Sequence, residues 1–156
     1  MPIRSTPAHR LRRRPPFFRP VPLRARADGW SEERQCGFLA ALYVTGSVAG
    51  AARSVGMTAR TFYRLRARAD AGSFARAWAH VLTPPGSGRT EVTREDFRKV
   101  ALETLVERVE TGFVQPVVYR GQMVGIRRKP DNSALFRLLR RHGEISDPCW
   151  SVRVLP

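Results

Sequence analysis

Arg60 and Arg64 stand four residues apart, so on a helix their guanidinium groups point the same way. Arginine can donate to both major-groove acceptors of a guanine, which makes this pair the chain's best candidate for reading bases. Thr58, Thr61 and Tyr63 carry hydroxyls that can bond phosphate oxygens, and Arg66 and Arg68 extend the positive charge. Other chemistries find less to work with. His9, His80 and His142 are isolated, and none has the i, i+4 partner of a helical zinc site. Asp131, Glu144 and Asp147 lie near His142, but at a helix cap and in a polar tail. With no nucleophile in a recognisable turn and no paired carboxylates, catalytic residues, a metal and a cofactor are not expected. Cys36 and Cys149 are far apart and lack metal-ligand spacing, so Cys36 reads as a small buried residue in a reducing compartment. The run Gly86-Ser87-Gly88-Arg89-Thr90 faintly resembles a phosphate-binding loop. Thr83 stands where that loop needs its first Gly and Arg89 where it needs Lys, so 83–90 reads as a linker.

The residues around Arg60 have a spacing of their own. In a twenty-residue window from Val48, the fifth position is Ala52, small enough for two helices to cross closely. The ninth is Gly56, where a tight turn asks for positive φ. Ala51, Val55, Met57, Phe62 and Leu65 fill the fourth, eighth, tenth, fifteenth and eighteenth positions with apolar side chains. These offsets are those of a helix-turn-helix, whose second helix, here Ala59 to about Ala69, enters the major groove. Ser31 caps a preceding helix with Glu32 and Glu33 at its positive end, and Phe38, Leu39, Leu42 and Tyr43 pack that helix onto the pair. Thr45-Gly46 ends it, Ser47 caps the next helix and Thr58 the last. Gly50 lies within the helix that Ser47 caps, at a cost of roughly 1 kcal/mol relative to Ala. Phe74, Ala77, Trp78, Val81 and Leu82 then recur at helical spacing and close the core of a domain spanning 29–82.

The chain of 156 residues has 28 Lys plus Arg against 13 Asp plus Glu, a net charge of +15, which favours a polyanionic partner. Of the basic residues only Lys99 and Lys129 are Lys, a skew that a GC-rich genome also produces, so where the charge lies matters more than its total. A hydrophobic share of 42% excludes a wholly disordered chain. The longest apolar stretch, Phe38 to Val44, is far below the roughly 20 residues that cross a bilayer, and no secretory signal is expected. A cytoplasmic protein without a membrane partner follows.

Residues 1–28 hold eight Arg, one acid and six of the twelve prolines, and read as a disordered basic arm. From Glu91 to Gly112, Phe97, Val100, Ala101, Leu105, Val106 and Val109 make one apolar helical stripe. Val117-Val118-Tyr119 and Met123–Ile126 are strand-like, joined by a three-residue loop Arg120-Gly121-Gln122. Asp131 or Asn132 can cap a helix from about Ser133 to His142, with Leu135, Leu138 and Leu139 on one face and Phe136 at its edge. The hairpin is expected to dock on these flanking helices, making 91–146 a helix–β-hairpin–helix unit for oligomerisation or partner docking, with 147–156 as a tail. Arg127, Arg128, Lys129, Arg137, Arg140 and Arg141 would then form a second basic surface. The expected fold is mainly α: an N-terminal helix-turn-helix domain followed by that smaller unit.

Ser47-Val48, Ala51-Ala52, Val55-Gly56-Met57 and Thr61 to Arg66 resemble helix-turn-helix domains of phage and prophage proteins, notably terminase small subunits. Pro130-Asp131-Asn132 after a hairpin, then Ala134, Phe136, Leu138-Leu139, Arg140-Arg141 and Trp150, is similar to the stretch that ends many such proteins. The resemblance implies recognition of viral double-stranded DNA for packaging, ring-like homo-oligomers and a C-terminal segment that engages a large terminase subunit. It assigns DNA reading to Arg60, Tyr63 and Arg64, in a bacterial cell or infected host. A small transcription regulator of prophage origin, or outside DNA binding an RNA-binding or scaffold protein, is the alternative.

Overall fold

Four short polar side chains mark where helices begin. Ser31, Ser47 and Thr58 accept the backbone N–H three residues on at 3.2, 3.1 and 3.4 Å, and Asp131 does so for Ala134 at 3.0 Å. Each bond satisfies a donor that the first helical turn leaves without an intrahelical partner. The computed structural model describes residues 7–22, 29–90 and 99–142. These caps open α2 (Glu32–Thr45), α3 (Val48–Ser54), α4 (Ala59–Arg66) and α7 (Asn132–His142). A short α1 (Ala8–Leu11), α5 (Gly72–Leu82) behind a 3-10 turn at Ala69–Ala71, and α6 (Leu102–Thr111) complete the described helices. One antiparallel hairpin joins β1 (Phe113–Tyr119) to β2 (Gln122–Lys129). The described chain is mainly helical.

Two compact units result: α1 to α5 with the hairpin, and α6 with α7. In the first, α2 is buried on several sides, by α3, α5 and both strands. That is why apolar residues fill most of its surface rather than one stripe. Phe38 stacks on Phe62 of α4 with ring centroids 3.7 Å apart, and Trp30 meets Phe62 edge-on at 4.6 Å. Phe74 and Trp78 of α5 also touch Phe38, at 6.0 and 4.8 Å. Leu82, expected in this core, is exposed.

The hairpin departs from expectation in its place and its turn. It belongs with α2 rather than with α6 and α7, so 91–146 is not one helix–hairpin–helix unit. The reason is the inner face of the sheet: Val114 is in the core of the first unit, and Val118 and Ile126 pack against it. Tyr119 pairs with Gln122, so the loop is the two residues Arg120 and Gly121, at φ +48° and +78°. Between Val117 and Val118 the partner jumps from Gly125 to Met123, a bulge that leaves Val124 over.

Residues 7–22, expected to be disordered, are folded as a strap across the first unit. Phe18 is fully buried, and its N–H and C=O exchange 2.9 Å bonds with Val114. The pairing stops at one bridge because Pro20 and Pro116, two residues along each strand, have no N–H to offer that edge. Side chains take over where prolines cannot bond. Gln35, itself buried, accepts from the Val21 N–H at 2.8 Å and donates to its C=O at 3.1 Å. Arg12 donates to the Tyr43 and Val44 carbonyls at 2.6 and 2.9 Å, closing the C-terminus of α2 beside Gly46 at φ +68°. Arg13 ties the strap to the 83–90 segment through the carbonyls of Pro84 (3.3 Å) and Gly88 (2.6 Å). Residues 1–6 and 23–28 of the expected arm lie outside the described residues.

In the second unit α6 packs on α7. Within the helical stripe expected from Glu91, Ala101 is extended (ψ 154°) and α6 begins at Leu102; residues 91–98, Phe97 among them, lie outside the described residues. Asp131 and not Asn132 caps α7, which begins one residue before the expected Ser133. The tail 147–156, with Cys149 and Trp150, also lies outside the described residues.

Candidate nucleic-acid interface

α3 and α4 are joined by Val55, Gly56 and Met57, with Gly56 at φ +74°. This left-handed position is where an L side chain would be strained. The Met57 N–H donates to the Ala52 carbonyl at 3.0 Å, closing the turn. Ala51 and Ala52 are fully buried, so the small residues stand where α3 meets its neighbours. On α4, Phe62 and Leu65 point inward and Arg60, Tyr63, Arg64 and Arg66 are exposed. Two buried residues three apart leave a broad outer face for the arginines.

The electrostatics of that face are one-sided. From Gly46 to Ala69 the chain has five Arg and no Asp or Glu. The next acid, Asp70, is occupied: Arg68 donates to its two oxygens at 2.9 and 2.7 Å. Those bonds hold the Asp70 carboxyl below the usual carboxylate range and raise the Arg68 guanidinium. Arg68, which the sequence offers as a contact, is thereby paired with Asp70 at the exposed end of α4. The Thr58 and Thr61 hydroxyls lie 2.8 Å apart and bond each other, so the phosphate role expected of them competes with helix capping.

Trp78 was legible as core and is 1% exposed, yet it also supports the outer face. Its ring lies 5.3 Å from Tyr63 and 5.0 Å beneath the Arg66 guanidinium. A cation over an indole is held without use of its N–H donors. The link spans α4 and α5, so helical spacing along either one carries no sign of it. Arg53 on α3 is exposed in the same acid-free segment. The helix-turn-helix offsets constrain its neighbours Ala51, Ala52 and Val55 and carry no signal for Arg53 itself.

The six residues of the second basic surface divide between the units. Arg127, Arg128 and Lys129 lie on β2 of the first, and Arg137, Arg140 and Arg141 on α7 of the second. Arg128 pairs with Glu32 at 2.7 Å, and the Lys129 ammonium lies 5.5 Å from the Phe17 ring. Arg141 donates to the Val100 carbonyl. Burial pushes the Cys36 thiol up to about 12, with Glu32 adding to the rise and Arg128 opposing it. Among the described residues no three His, Cys, Asp or Glu gather as a metal site, and no helix is long and apolar enough to cross a membrane. No protein-family model, curated protein or solved structure matches this chain.

Proposed function

We propose that the chain is a non-catalytic binder of double-stranded DNA in which α3, the turn at Gly56 and α4 act as a helix-turn-helix. The observation that carries this reading is α4 itself. Its inner side is clamped by Phe38 and Trp30 through Phe62, while Arg60, Tyr63 and Arg64 face solvent in a segment with no acid. A rigid helix with an unopposed positive outer face suits insertion between two phosphate backbones. Arg60 and Arg64 read bases, Tyr63 and Arg66 contact the backbone from their Trp78 support, and Arg53 adds charge alongside.

The test is selection of bound duplexes from a random pool. Enrichment of one sequence is expected, with Arg60→Ala or Arg64→Ala each losing ~1–3 kcal/mol at that site and relaxing the preference. No enrichment, together with equal affinity for single-stranded RNA, would refute it in favour of the RNA-binding alternative. The role in phage DNA packaging, with a homo-oligomer and a large terminase subunit as partners, rests on the resemblance in residues 47–66 and 130–150. A large-terminase gene beside this one favours packaging, and a divergent promoter favours a transcription regulator. Either role belongs in the cytoplasm of a bacterial cell or infected host.

A further inference from the structure

Arg120 is the one non-glycine residue with positive φ among those described, at +48°. It holds the first loop position of a two-residue hairpin in which both residues are left-handed. Such a turn favours Asn, Asp or Gly there, because other side chains crowd their own backbone. A strained residue kept at an exposed tip points to a task for its side chain. The guanidinium lies 5.3 Å from the ring of Tyr119, which is itself 61% exposed. That contact uses the flat face of the group and leaves the N–H donors at its edge for another acceptor.

The tip has a defined place in the first unit. A Cβ at Gly121 would lie 3.9 Å from the Val44 side chain, so the turn sits at the C-terminal end of α2. Three residues after Val44, Ser47 caps α3. In a helix-turn-helix the first helix of the pair crosses the phosphate backbone while the second enters the groove. An arginine beside the start of α3 is therefore placed beside that backbone. The hairpin, residues 113–129, has four basic residues and no acid. Arg128 is drawn to Glu32 and Lys129 to aromatic rings, and of the hairpin's other two cations, Arg120 and Arg127, only Arg120 stands in the turn beside the end of α2.

We propose that Arg120 is a second DNA contact, gripping a backbone phosphate of the same duplex that α4 reads. This rests on the reading of α4 as the groove helix. Arg120→Asn in the full chain separates task from turn, because Asn accepts the left-handed conformation while the charge is lost. The melting temperature is expected to stay equal or rise. Affinity for the selected duplex should fall about three- to tenfold at moderate salt, with the log–log salt slope smaller by ~0.9 and sequence preference unchanged. Arg120→Lys should restore the slope. If Arg120→Asn leaves affinity and slope untouched while Arg64→Ala weakens binding, the tip contact is wrong and the α4 reading stands. If Arg60→Ala and Arg64→Ala change nothing while Arg120→Asn weakens binding, the tip contact stands and the groove assignment falls.

Discussion

Replacing Phe18 by Ala tests whether the proline-rich strap is structure or tail. The ring is wholly buried, meets Phe74 edge-on at 5.9 Å and 63°, and belongs to the same core as Phe38 and Trp78. Truncating a core Phe to Ala removes the transfer free energy of the six ring carbons and leaves a cavity, together ~3–5 kcal/mol. The backbone bonds between Phe18 and Val114 survive the change, so the side chain alone is measured. Against a total stability of about 5–15 kcal/mol, such a loss is large. At roughly 2–4 °C per kcal/mol for a chain of this size, the melting temperature should fall by about 6–20 °C. Thermal melts followed by far-ultraviolet circular dichroism, with urea midpoints alongside, give the value. Arg14→Ala, at an exposed position of the same strap, serves as control and should stay within ~0.5 kcal/mol. If Phe18→Ala also stays within ~0.5 kcal/mol, the strap is a solvated tail and its packing here is wrong. The outcome also decides how a deletion of residues 1–28 is understood. Arg12 and Arg13 are engaged with carbonyls, so weaker DNA binding after that deletion would follow from lost folding before lost phosphate contacts.

Three further outcomes follow from the same packing. Gly46→Ala puts a side chain at φ +68°, against the Arg12 guanidinium, so it should lower stability by ~1–2 kcal/mol in urea, and no change would refute the left-handed end of α2 at Gly46. Burial first, then the charges of Arg13 and Arg76, hold the His80 pKa below its usual value. Its folded pKa is the lower one, so its contribution is full above about pH 6.5 and is lost as pH falls below that. The urea midpoint should therefore drop more between pH 7.5 and 5.5 in the native sequence than in His80→Gln, and equal drops would refute it. Cys36, raised to about 12 by burial, stays a buried thiol at neutral pH. In a Cys149→Ser background it should react with iodoacetamide only on unfolding, and rapid labelling of the native protein would contradict its burial.

Much of the helical first unit was legible because its determinants are local. Ser31, Ser47 and Thr58 announce helix starts within three residues, and Gly46 and Gly56 announce left-handed breaks at single positions. The inward pair Phe62 and Leu65 follows from helical spacing, and with it the outward Arg60 and Arg64. The strap was not legible, for a physical reason. Prolines remove the backbone donors that propensity rules count, and the partners that replace them are remote: Gln115 donates to the Pro15 carbonyl across 100 residues. The signal present was Phe17-Phe18 and Val21, apolar side chains that a solvated arm has no use for. The hairpin strands were visible in their β-branched runs, but not the surface they cover. α2 buries nearly its whole circumference, and a helix without a polar face does not show which side receives a sheet. The two-residue loop is one shorter than the glycine-centred rule predicts, because Arg120 takes a left-handed position usually left to Gly, Asn or Asp.

The return of residues 113–129 to α2 has a consequence during synthesis. α1 to α5 leave the ribosome first, but the strap and α2 find Val114 only after α6 has also been made. At about 5–20 residues per second, the stretch of roughly 40 residues from Leu82 to Gln122 takes some 2–8 s. For that interval Phe18 has no strand to bridge, and the side of α2 destined for the hairpin is open to water and to other nascent chains. Completion of the first unit thus waits on translation of a stretch that includes α6 of the second. Codon usage between 83 and 122, which alters no residue, sets how long the half-covered helix must wait.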